Sequence, residues 1–284
     1  FLFFYYLYLL ILFLILLRGL LSLKKIYDVA IIGSGPGGYV AAIRASQLGL
    51  NVALIEKADI GGVCLNWGCI PTKALLRSAE VYELINKAMN FGIDVPNHSL
   101  NLEKIIIRSK NIASKLSNGV NYLLSKNKVE IIRGKATFLS STKVEIEGAK
   151  GEKQGIIEAK NIVIATGAKP KQIPILPVDG KVIWDYRHAL RPNKIPNKLI
   201  IIGSGAIGIE FASFYNAIGS EVFVVEIQDR ILPIEDKQVS DYAKIEFQKK
   251  GINFFVESSF ELLEKNESNI TLLIKTKDKK EKIS

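Results

Sequence analysis

The sequence contains one strand–glycine loop–helix–strand pattern twice, and this repeat constrains the fold more than any other feature. In the first copy the apolar run Tyr27–Ile32 leads into the loop Gly33–Gly38, and a helix is predicted over Tyr39–Leu48. A second apolar run, Asn51–Ile55, ends at Glu56. Loops of this kind turn tightly, let the backbone approach a pyrophosphate, and place it at a helix N-terminus. The pattern therefore predicts a dinucleotide-binding unit.

The second copy has the strands Leu199–Ile202 and Glu221–Val225, the loop Gly203–Gly208 and a predicted helix over Ile209–Ile218. It ends at Glu226, which follows Gly203 by the same spacing as Glu56 follows Gly33 (226 − 203 = 56 − 33 = 23). A carboxylate here accepts hydrogen bonds from ribose hydroxyls and repels the 2′-phosphate of NADP, so NAD is predicted. Two units imply two nucleotides, which fits a flavin and a nicotinamide.

The only two cysteines, Cys64 and Cys69, lie in the glycine-rich stretch Gly61–Lys73. A disulfide between them would close a very small ring and add little loop-closure entropy. A reachable pair of this kind suits a catalytic redox couple better than a structural link. The alternative is two unrelated free thiols in a reduced cytosolic protein.

The segment Cys-Leu-Asn-Trp-Gly-Cys-Ile-Pro-Thr-Lys-Ala-Leu-Leu resembles the redox-disulfide segment of the flavin-dependent pyridine nucleotide–disulfide oxidoreductases, and within them of the dihydrolipoamide dehydrogenases. The resemblance runs from about Lys25 to the end of the chain. It implies an α/β fold with two Rossmann-like dinucleotide-binding domains, the NAD domain being inserted into the FAD domain. Glutathione and mercuric reductases are the nearest rivals, and Glu226 and Leu65-Asn66-Trp67 argue against them.

In the resembled family, electrons pass from a dithiol to the disulfide, then to FAD and to NAD. The resemblance implies that Cys64 exchanges with the substrate and that Cys69 faces the flavin as a charge-transfer thiolate. It places Lys73 near the isoalloxazine, with Glu210 as its ion-pair partner, although Glu210 alone is equally consistent with an exposed helix carboxylate.

The resemblance also implies two sets of cofactor-binding residues. The FAD set consists of Gly33, Gly35, Gly38, Glu56, Lys73, Gly134, Thr166 and Gly167. The NAD set consists of Gly203, Gly205, Gly208 and Glu226. The partners implied are lipoyl groups of 2-oxo acid dehydrogenase complexes and, in the full-length family, a second copy of the chain, in the cytoplasm.

Parts of the family pattern do not occur in this sequence: a later Gly-Asp flavin contact, the C-terminal interface domain and a C-terminal His–Glu acid–base pair. Losing a general base typically costs ~10²–10⁴-fold in rate. The expectation is therefore a truncated gene product or partial sequence that is inactive alone. A second hypothesis is a non-catalytic, membrane-tethered flavin- or NAD-binding module.

Residues 1–23 form an apolar leader, which is long enough to span a bilayer as a helix. Translated non-coding DNA is the other interpretation, and a signal peptide fits poorly because the basic residues follow the apolar run. Residues 24–170 are predicted to form the FAD-binding domain and 171–284 an incomplete NAD-binding domain.

Composition excludes several other classes of protein. The chain has 284 residues, of which 48% are hydrophobic, so a packed core is expected. The net charge of +10 comes from scattered lysines, which argues against nucleic-acid binding. No metal site is indicated, because His98 and His188 are far apart in sequence and have no ligands at metal-binding spacing.

The remaining segments alternate between predicted helices and strands. Helices are predicted over Ala74–Ala88, over Leu102–Ser125 with Asn101 as N-cap, and over Ser240–Lys250. Strands are predicted at Val129–Ile132, Ala136–Phe138, Lys143–Glu147, Asn161–Ile164, Ile252–Val256, Phe260–Glu264 and Ile270–Lys275. Gly148–Gly155 is predicted to be a hairpin loop, and the C-terminus a charged tail.

Overall fold

The computed structural model describes residues 26–284, so the predicted leader 1–23 lies outside the described residues. The chain divides into two compact units, one with residues up to 62 and 117–167, the other with 63–116 and 168–284. The segment 63–116 thus groups with the second unit, whereas the predicted FAD domain included it. Within residues 26–284, none of the helices has the length and apolar character needed to cross a bilayer.

The first unit is built on one mixed sheet. Its strands are β1 (Ile26–Ile32), β2 (Val52–Glu56), β3 (Glu130–Arg133), β4 (Lys135–Ser140), β5 (Lys143–Glu147) and β6 (Lys153–Ile164). The order across the sheet is β3-β2-β1-β6-β5-β4. β3, β2, β1 and β6 are parallel, and β6, β5 and β4 are antiparallel, so β6 joins the two parts.

The core of the first unit lies along its two central parallel strands. Ala30 and Ile31 of β1 and Ala53 and Leu54 of β2 are fully buried. Strands covered on both faces carry nearly continuous apolar runs, which is why these two segments were recognisable from sequence. Helix α1 (Pro36–Gln47) connects them and begins directly after the first glycine loop.

The second unit contains two three-stranded sheets. A parallel sheet is formed by β7 (Lys198–Ile202), β8 (Glu221–Val225) and β9 (Asn253–Phe255). An antiparallel sheet is formed by β10 (Ser259–Lys265), β11 (Ile270–Lys275) and β12 (Lys280–Ile283). The two predicted strands Phe260–Glu264 and Ile270–Lys275 are therefore present, and a third strand occupies the predicted charged tail. Ile283 is buried there, which gives the short strand an apolar face that its lysines conceal in the sequence.

The helices follow the predictions except around the cysteines and at one short helix over residues 186–189. They are α2 (Gly62–Trp67), α3 (Cys69–Asn86), α4 (Leu102–Lys126), α5 (Tyr186–Ala189), α6 (Ala206–Ala217) and α7 (Lys237–Lys249). The Lys104 amide bonds to Asn101 Oδ1 at 2.9 Å, which confirms the predicted cap. One expectation was wrong, because α3 begins at Cys69 rather than Ala74, and the two short helices α2 and α5 were not predicted. Pro71 permits the earlier start because a proline in the first helical turn forfeits no intrahelical bond.

Helix α3 packs against α6 inside the second unit. Leu75 and Ala79 of α3 share a buried cluster with Phe211, Phe214 and Tyr215 of α6. The segment that carries the cysteines is thus fixed to the helix that follows the second glycine loop.

Candidate functional site

The two cysteines face each other across a single-residue joint. Cys64 lies on α2, Gly68 forms the joint, and Cys69 is the first residue of α3. A Cβ on Gly68 would lie 3.1 Å from Val63 O and 3.2 Å from Cys64 Cα. Glycine therefore allows the two short backbones to approach each other, and this brings the sulfurs together.

Both cysteines are thiols, and their side chains are within hydrogen-bonding reach of each other. Burial and, after it, the neighbouring Cys69 raise the pKa of Cys64 to about 11, while Lys73 acts in the opposite direction. Cys64 is partly buried and Cys69 is exposed. A negative charge on Cys69 would lie at the N-terminus of α3, where helix N–H groups stabilise anions.

Lys73 and Glu210 form an ion pair between α3 and α6, with Nζ 2.5 Å from Oε1. The hydrogen bond to Glu210 is the main reason why the pKa of Lys73 is raised, and charge on the two cysteines adds to it. Lys73 lies one turn after Cys69, on the same side of the helix. The ion pair that the resemblance implied between Glu210 and Lys73 is therefore present. Lys73 is also close enough to both cysteines to interact with them electrostatically.

Backbone atoms of the first unit pack closely against the first glycine loop. Gly33 has φ +101°, and a Cβ there would lie 2.3 Å from Ala165 O. A Cβ on Gly38 would lie 1.8 Å from Gly33 O. Gly62, at the start of α2, approaches Gly35 so closely that its own Cβ would lie 2.6 Å from Gly35 Cα. These positions accept glycine alone because backbone occupies the space of a side chain.

The second glycine loop has the same internal geometry. Gly203 has φ +97°, and a Cβ on Gly208 would lie 2.1 Å from Gly203 O. Within the described residues nothing lies within 4 Å of a Cβ on Gly203 or Gly205. In the described part of the chain, no side chain caps α1 at Gly35 or α6 at Gly205. Both helices therefore present backbone N–H groups that suit a phosphate.

A buried serine holds each predicted ribose-binding carboxylate. Glu56 Oε2 accepts hydrogen bonds from the Ser34 amide at 2.8 Å and from Ser34 Oγ at 2.6 Å. Glu226 Oε2 accepts the same two bonds from Ser204, both at 2.8 Å. Oε1 accepts an amide two residues further along, from Ala58 or Gln228. We call this arrangement the Ser–Glu clasp.

The three other predicted FAD contacts lie at different points of the first unit. Thr166 and Gly167 follow β6, and Thr166 Cα would be 3.2 Å from a Cβ on Gly33. Gly134 lies between β3 and β4, where its amide bonds to Glu56 O at 3.0 Å. A Cβ on Gly134 would lie 2.5 Å from Ile146 Cγ2, so packing alone requires glycine there.

The two histidines have local structural partners. His98 bonds to Val95 O and to Asn86 Oδ1. His188 lies 2.7 Å from Asp185 in a capping box at the start of α5.

Sequence analysis missed the Ser–Glu clasp, the approach of Gly62 to Gly35, and two arginines over Trp67. A signal for the clasp was present, because Ser34 and Ser204 occupy the same position of the two loops. Arg187 and Arg191 are close together in the sequence, but Arg191 lies beyond the end of α5, so no helical spacing pointed to them.

The mixed and parallel sheets, the repeated glycine loops and the paired thiols indicate a disulfide oxidoreductase with two dinucleotide-binding loops. The sequence matches the pyridine nucleotide-disulphide oxidoreductase family over residues 27–283, and the chain belongs to that family. FAD and NAD are the cofactors of this class of protein.

Curated relatives are named dihydrolipoyl dehydrogenase, which agrees with the resemblance in the cysteine segment. The protein from Zymomonas mobilis is 50% identical over 254 residues, covering 89% of this chain and 54% of the relative. The protein from Rhizobium etli is 46% identical over 270 residues, covering 89% and 56%. The chain thus spans about half the length of these relatives.

Solved structures with the same fold include LpdA and a flavoprotein disulfide reductase. LpdA from Mycobacterium tuberculosis superimposes with a TM-score of 0.79 at 27% identity, covering 90% of this chain and 56% of that one. The HOCl-induced flavoprotein disulfide reductase RclA from Escherichia coli, as its Cu(II) complex, gives a TM-score of 0.73 at 25% identity. It covers 91% of this chain and 55% of that one.

Proposed function

We propose that this chain is the cofactor-binding front part of a dihydrolipoyl dehydrogenase, in which Cys64 and Cys69 form the redox-active disulfide. The observation that carries the proposal is the juxtaposition of the two thiols at the Gly68 joint, beside Lys73. The identity of half the residues to a dihydrolipoyl dehydrogenase supports it.

The reaction of the cysteines is a thiol–disulfide exchange. A substrate thiolate attacks Cys64 Sγ in the oxidised pair, the bond between the two cysteines breaks, and Cys69 leaves as the thiolate. The second substrate thiol then attacks the mixed disulfide, and Cys64 leaves and takes up a proton. The substrate dithiol becomes a disulfide, and two electrons remain on the cysteine pair.

The electrostatics fit this division of roles. Burial and the adjacent Cys69 keep the pKa of Cys64 at about 11, so the released Cys64 is neutral. A charge on Cys69 gains from the α3 N-terminus and from the ammonium of Lys73. Glu210 keeps that ammonium protonated, because their hydrogen bond raises the pKa of Lys73. We assign Cys64, Cys69, Lys73 and Glu210 to the redox site on this basis.

We further propose that the first glycine loop binds FAD and the second binds NAD. The uncapped N-termini of α1 and α6 would hold the pyrophosphates, and Glu56 and Glu226 the riboses. When bound, the two cofactors supply two-electron transfer from the dithiol to the nicotinamide. The hydrogen bonds from Ser204 and neighbouring amides outweigh burial and lower the pKa of Glu226. An ionised Glu226 would repel the 2′-phosphate of NADP.

The partners follow from the same assignment and are part of the proposal. A dihydrolipoyl dehydrogenase would receive electrons from lipoyl groups of a 2-oxo acid dehydrogenase complex, in the cytoplasm. In the full-length protein it would act as a homodimer. The division into an FAD domain over 24–170 and an NAD domain over 171–284 also remains a proposal.

Alkylation and mass spectrometry test the redox pair. The chain is oxidised, treated with dihydrolipoamide, and then alkylated. We expect an intramolecular Cys64–Cys69 disulfide that dihydrolipoamide reduces, with Cys69 alkylated first at pH 7.5 because it is exposed and Cys64 is protonated. Cys64→Ser and Cys69→Ser are the matched controls. Failure of the unaltered chain to form this disulfide would refute the redox assignment.

Titration calorimetry tests the cofactor assignment. Glu56→Gln should weaken FAD binding and leave NAD binding unchanged, and Glu226→Gln should do the reverse. The loss of a charged hydrogen-bond acceptor should lower affinity by about tenfold. Equal affinity of the unaltered chain for NADP and NAD would contradict the role given to Glu226.

A further inference from the structure

Two arginines lie over the indole ring of Trp67, the last residue before the Gly68 joint. Arg191 Cζ is 3.8 Å from the ring centroid, and Arg187 Cζ is 4.8 Å from it. Guanidinium groups within about 6 Å of an indole face are attracted by its electron-rich surface. We call Trp67, Arg187 and Arg191 the tryptophan clamp.

The clamp acts on the short helix that carries Cys64. Trp67 is the last residue of α2, and Cys64 lies three positions earlier on the same helix. Cys69 belongs to α3, beyond Gly68. The position of Trp67 relative to α3 therefore affects the distance between the two sulfurs.

The arginines extend from a firmly anchored support. Helix α5 begins with the capping box of Asp185 and His188. It ends beside Leu190, which is 3% exposed in the same cluster as α3 and α6. The buried Tyr215 hydroxyl donates to Ala189 O at 2.7 Å. The side chains over Trp67 thus start from a backbone that the core holds in place.

We propose that Trp67, Arg187 and Arg191 are positioning residues that set the equilibrium between the dithiol and the disulfide of Cys64 and Cys69. This inference rests on the proposed redox function of the two cysteines. The cysteines carry the exchange itself, and the clamp acts on their geometry from outside.

The clamp favours the reduced pair. It is formed while Cys64 and Cys69 are thiols at hydrogen-bonding separation. A disulfide requires the sulfurs at about 2.05 Å with a defined torsion, and the clamp, by holding the helix that carries Cys64, resists any backbone adjustment that this geometry demands. Two positive charges near the cysteine segment also favour the state that can carry a thiolate. Removing the clamp should therefore move the equilibrium towards the disulfide.

Equilibration of the full 284-residue chain with glutathione tests this directly. In that reaction two protein thiols and one oxidised glutathione give one protein disulfide and two reduced glutathiones, so atoms and electrons balance. The oxidised fraction is measured by alkylation and mass spectrometry over a range of glutathione ratios. This measurement requires neither FAD nor NAD.

Trp67→Leu and Arg191→Gln should each raise the equilibrium constant for disulfide formation about fivefold or more, which is about 20 mV. Trp67→Phe and Arg191→Lys should give intermediate shifts, because they keep a ring or a charge. Arg77→Gln removes an exposed arginine of α3 that pairs with Glu80, so it is the matched control and should change nothing.

The outcomes separate this inference from the proposed function. If the unaltered chain forms no Cys64–Cys69 disulfide, the redox function fails. If it forms the disulfide but Trp67→Leu and Arg191→Gln equilibrate within about twofold of it, or shift towards the dithiol, the clamp is refuted. Arg191 is exposed, so Arg191→Gln folds and gives an answer even where Trp67→Leu disturbs the core.

Discussion

The two glycine loops share their backbone geometry and differ in what surrounds them. Gly33 and Gly203 have φ +101° and +97°, and Gly38 and Gly208 each come too close to the first glycine for a side chain. At the first loop, the backbone of Ala165 lies against Gly33, and the backbone of Gly62 lies against Gly35. Around Gly203 and Gly205, the described residues leave the corresponding space open. The backbone conformation of each loop is thus set by its own sequence. How closely other backbone packs around a loop depends on the rest of the unit.

The helices after the loops differ in the same way. In α1 only Gly38 and Ala42 are buried, and Val40 is 55% exposed. In α6 five residues are buried, because α3 covers a second side of it. Phe211, Phe214 and Tyr215 of α6 are buried in the cluster that α3 shares. The shared glycine motif therefore determines the first turn of each helix. The residue types further along each helix depend on the elements that pack against it.

The largest expected effect is a test of the shared geometry. Gly38→Ala and Gly208→Ala should each destabilise their unit by about 3 kcal/mol or more, because the new Cβ collides with a backbone oxygen. Amide hydrogen exchange of β1 and β7 measures the two losses separately. A tolerated Gly208→Ala would mean that the second loop is not built like the first.

The next test separates the packing around a loop from the backbone conformation of the loop itself. Gly33→Ala combines a positive φ with a collision at Ala165 O and should cost about 3 kcal/mol. Gly203→Ala has the positive φ alone and should cost about 1 kcal/mol. Hydrogen exchange of β1 and β7 again gives both values. Equal losses would show that the contact with Ala165 is unimportant.

The Ser–Glu clasps should respond alike. Ser34→Ala and Ser204→Ala each remove one hydrogen bond to a buried carboxylate and should cost about 1 kcal/mol at pH 7. The pKa of Glu226 is lowered in the folded protein, so its contribution is present above the ordinary value of about 4.3 and is lost as pH falls through the folded-state pKa. The effect of Ser204→Ala on unfolding should therefore shrink below about pH 4.

A constant difference between the Ser204→Ala variant and the unaltered chain, from about pH 7 to about pH 3, would contradict this account. Glu226→Gln provides the control, since the amide cannot titrate.

The smallest expected effect concerns Lys73 and Glu210, a pair that the first loop lacks because Val40 occupies the position of Glu210. Glu210→Gln should cost about 0.5 kcal/mol, since Lys73 is largely exposed and water screens the pair. The pKa of Lys73 is raised, so this contribution is present at neutral pH and is lost as pH rises through the folded-state pKa. Urea unfolding at low and high salt measures it, and a loss that salt does not reduce would count against an ion pair.

Much of the fold was predictable because its signals are local. The strands around the glycine loops, the cap at Asn101 and the strand Lys143–Glu147 follow from alternation, apolar runs and turn residues. The start of α3 at Cys69, five residues before the predicted start at Ala74, did not follow from these rules. The strand Lys280–Ile283 was hidden by its lysines, and only its pairing with Ile270–Lys275 produces it.

The residues of the candidate site also fall into a predictable and an unpredictable group. The cysteines, glycines and two glutamates were predicted because each belongs to a motif with a fixed spacing. The clamp was not, because Trp67 and Arg191 are distant in sequence and only packing brings them together. The grouping of 63–116 with the second unit has the same cause, since Leu75 and Tyr215 share a core that no local pattern reveals.

The strand β6 determines when the first unit is finished during protein synthesis. Its residues 158–164 pair with β1, which leaves the ribosome much earlier. At roughly 5–20 residues per second the interval is roughly ten seconds, and during it β1 has only β2 as a partner. Such distant pairings fold slowly. Until β6 is made, the edge of β1 that β6 later covers therefore has backbone N–H and C=O groups without strand partners.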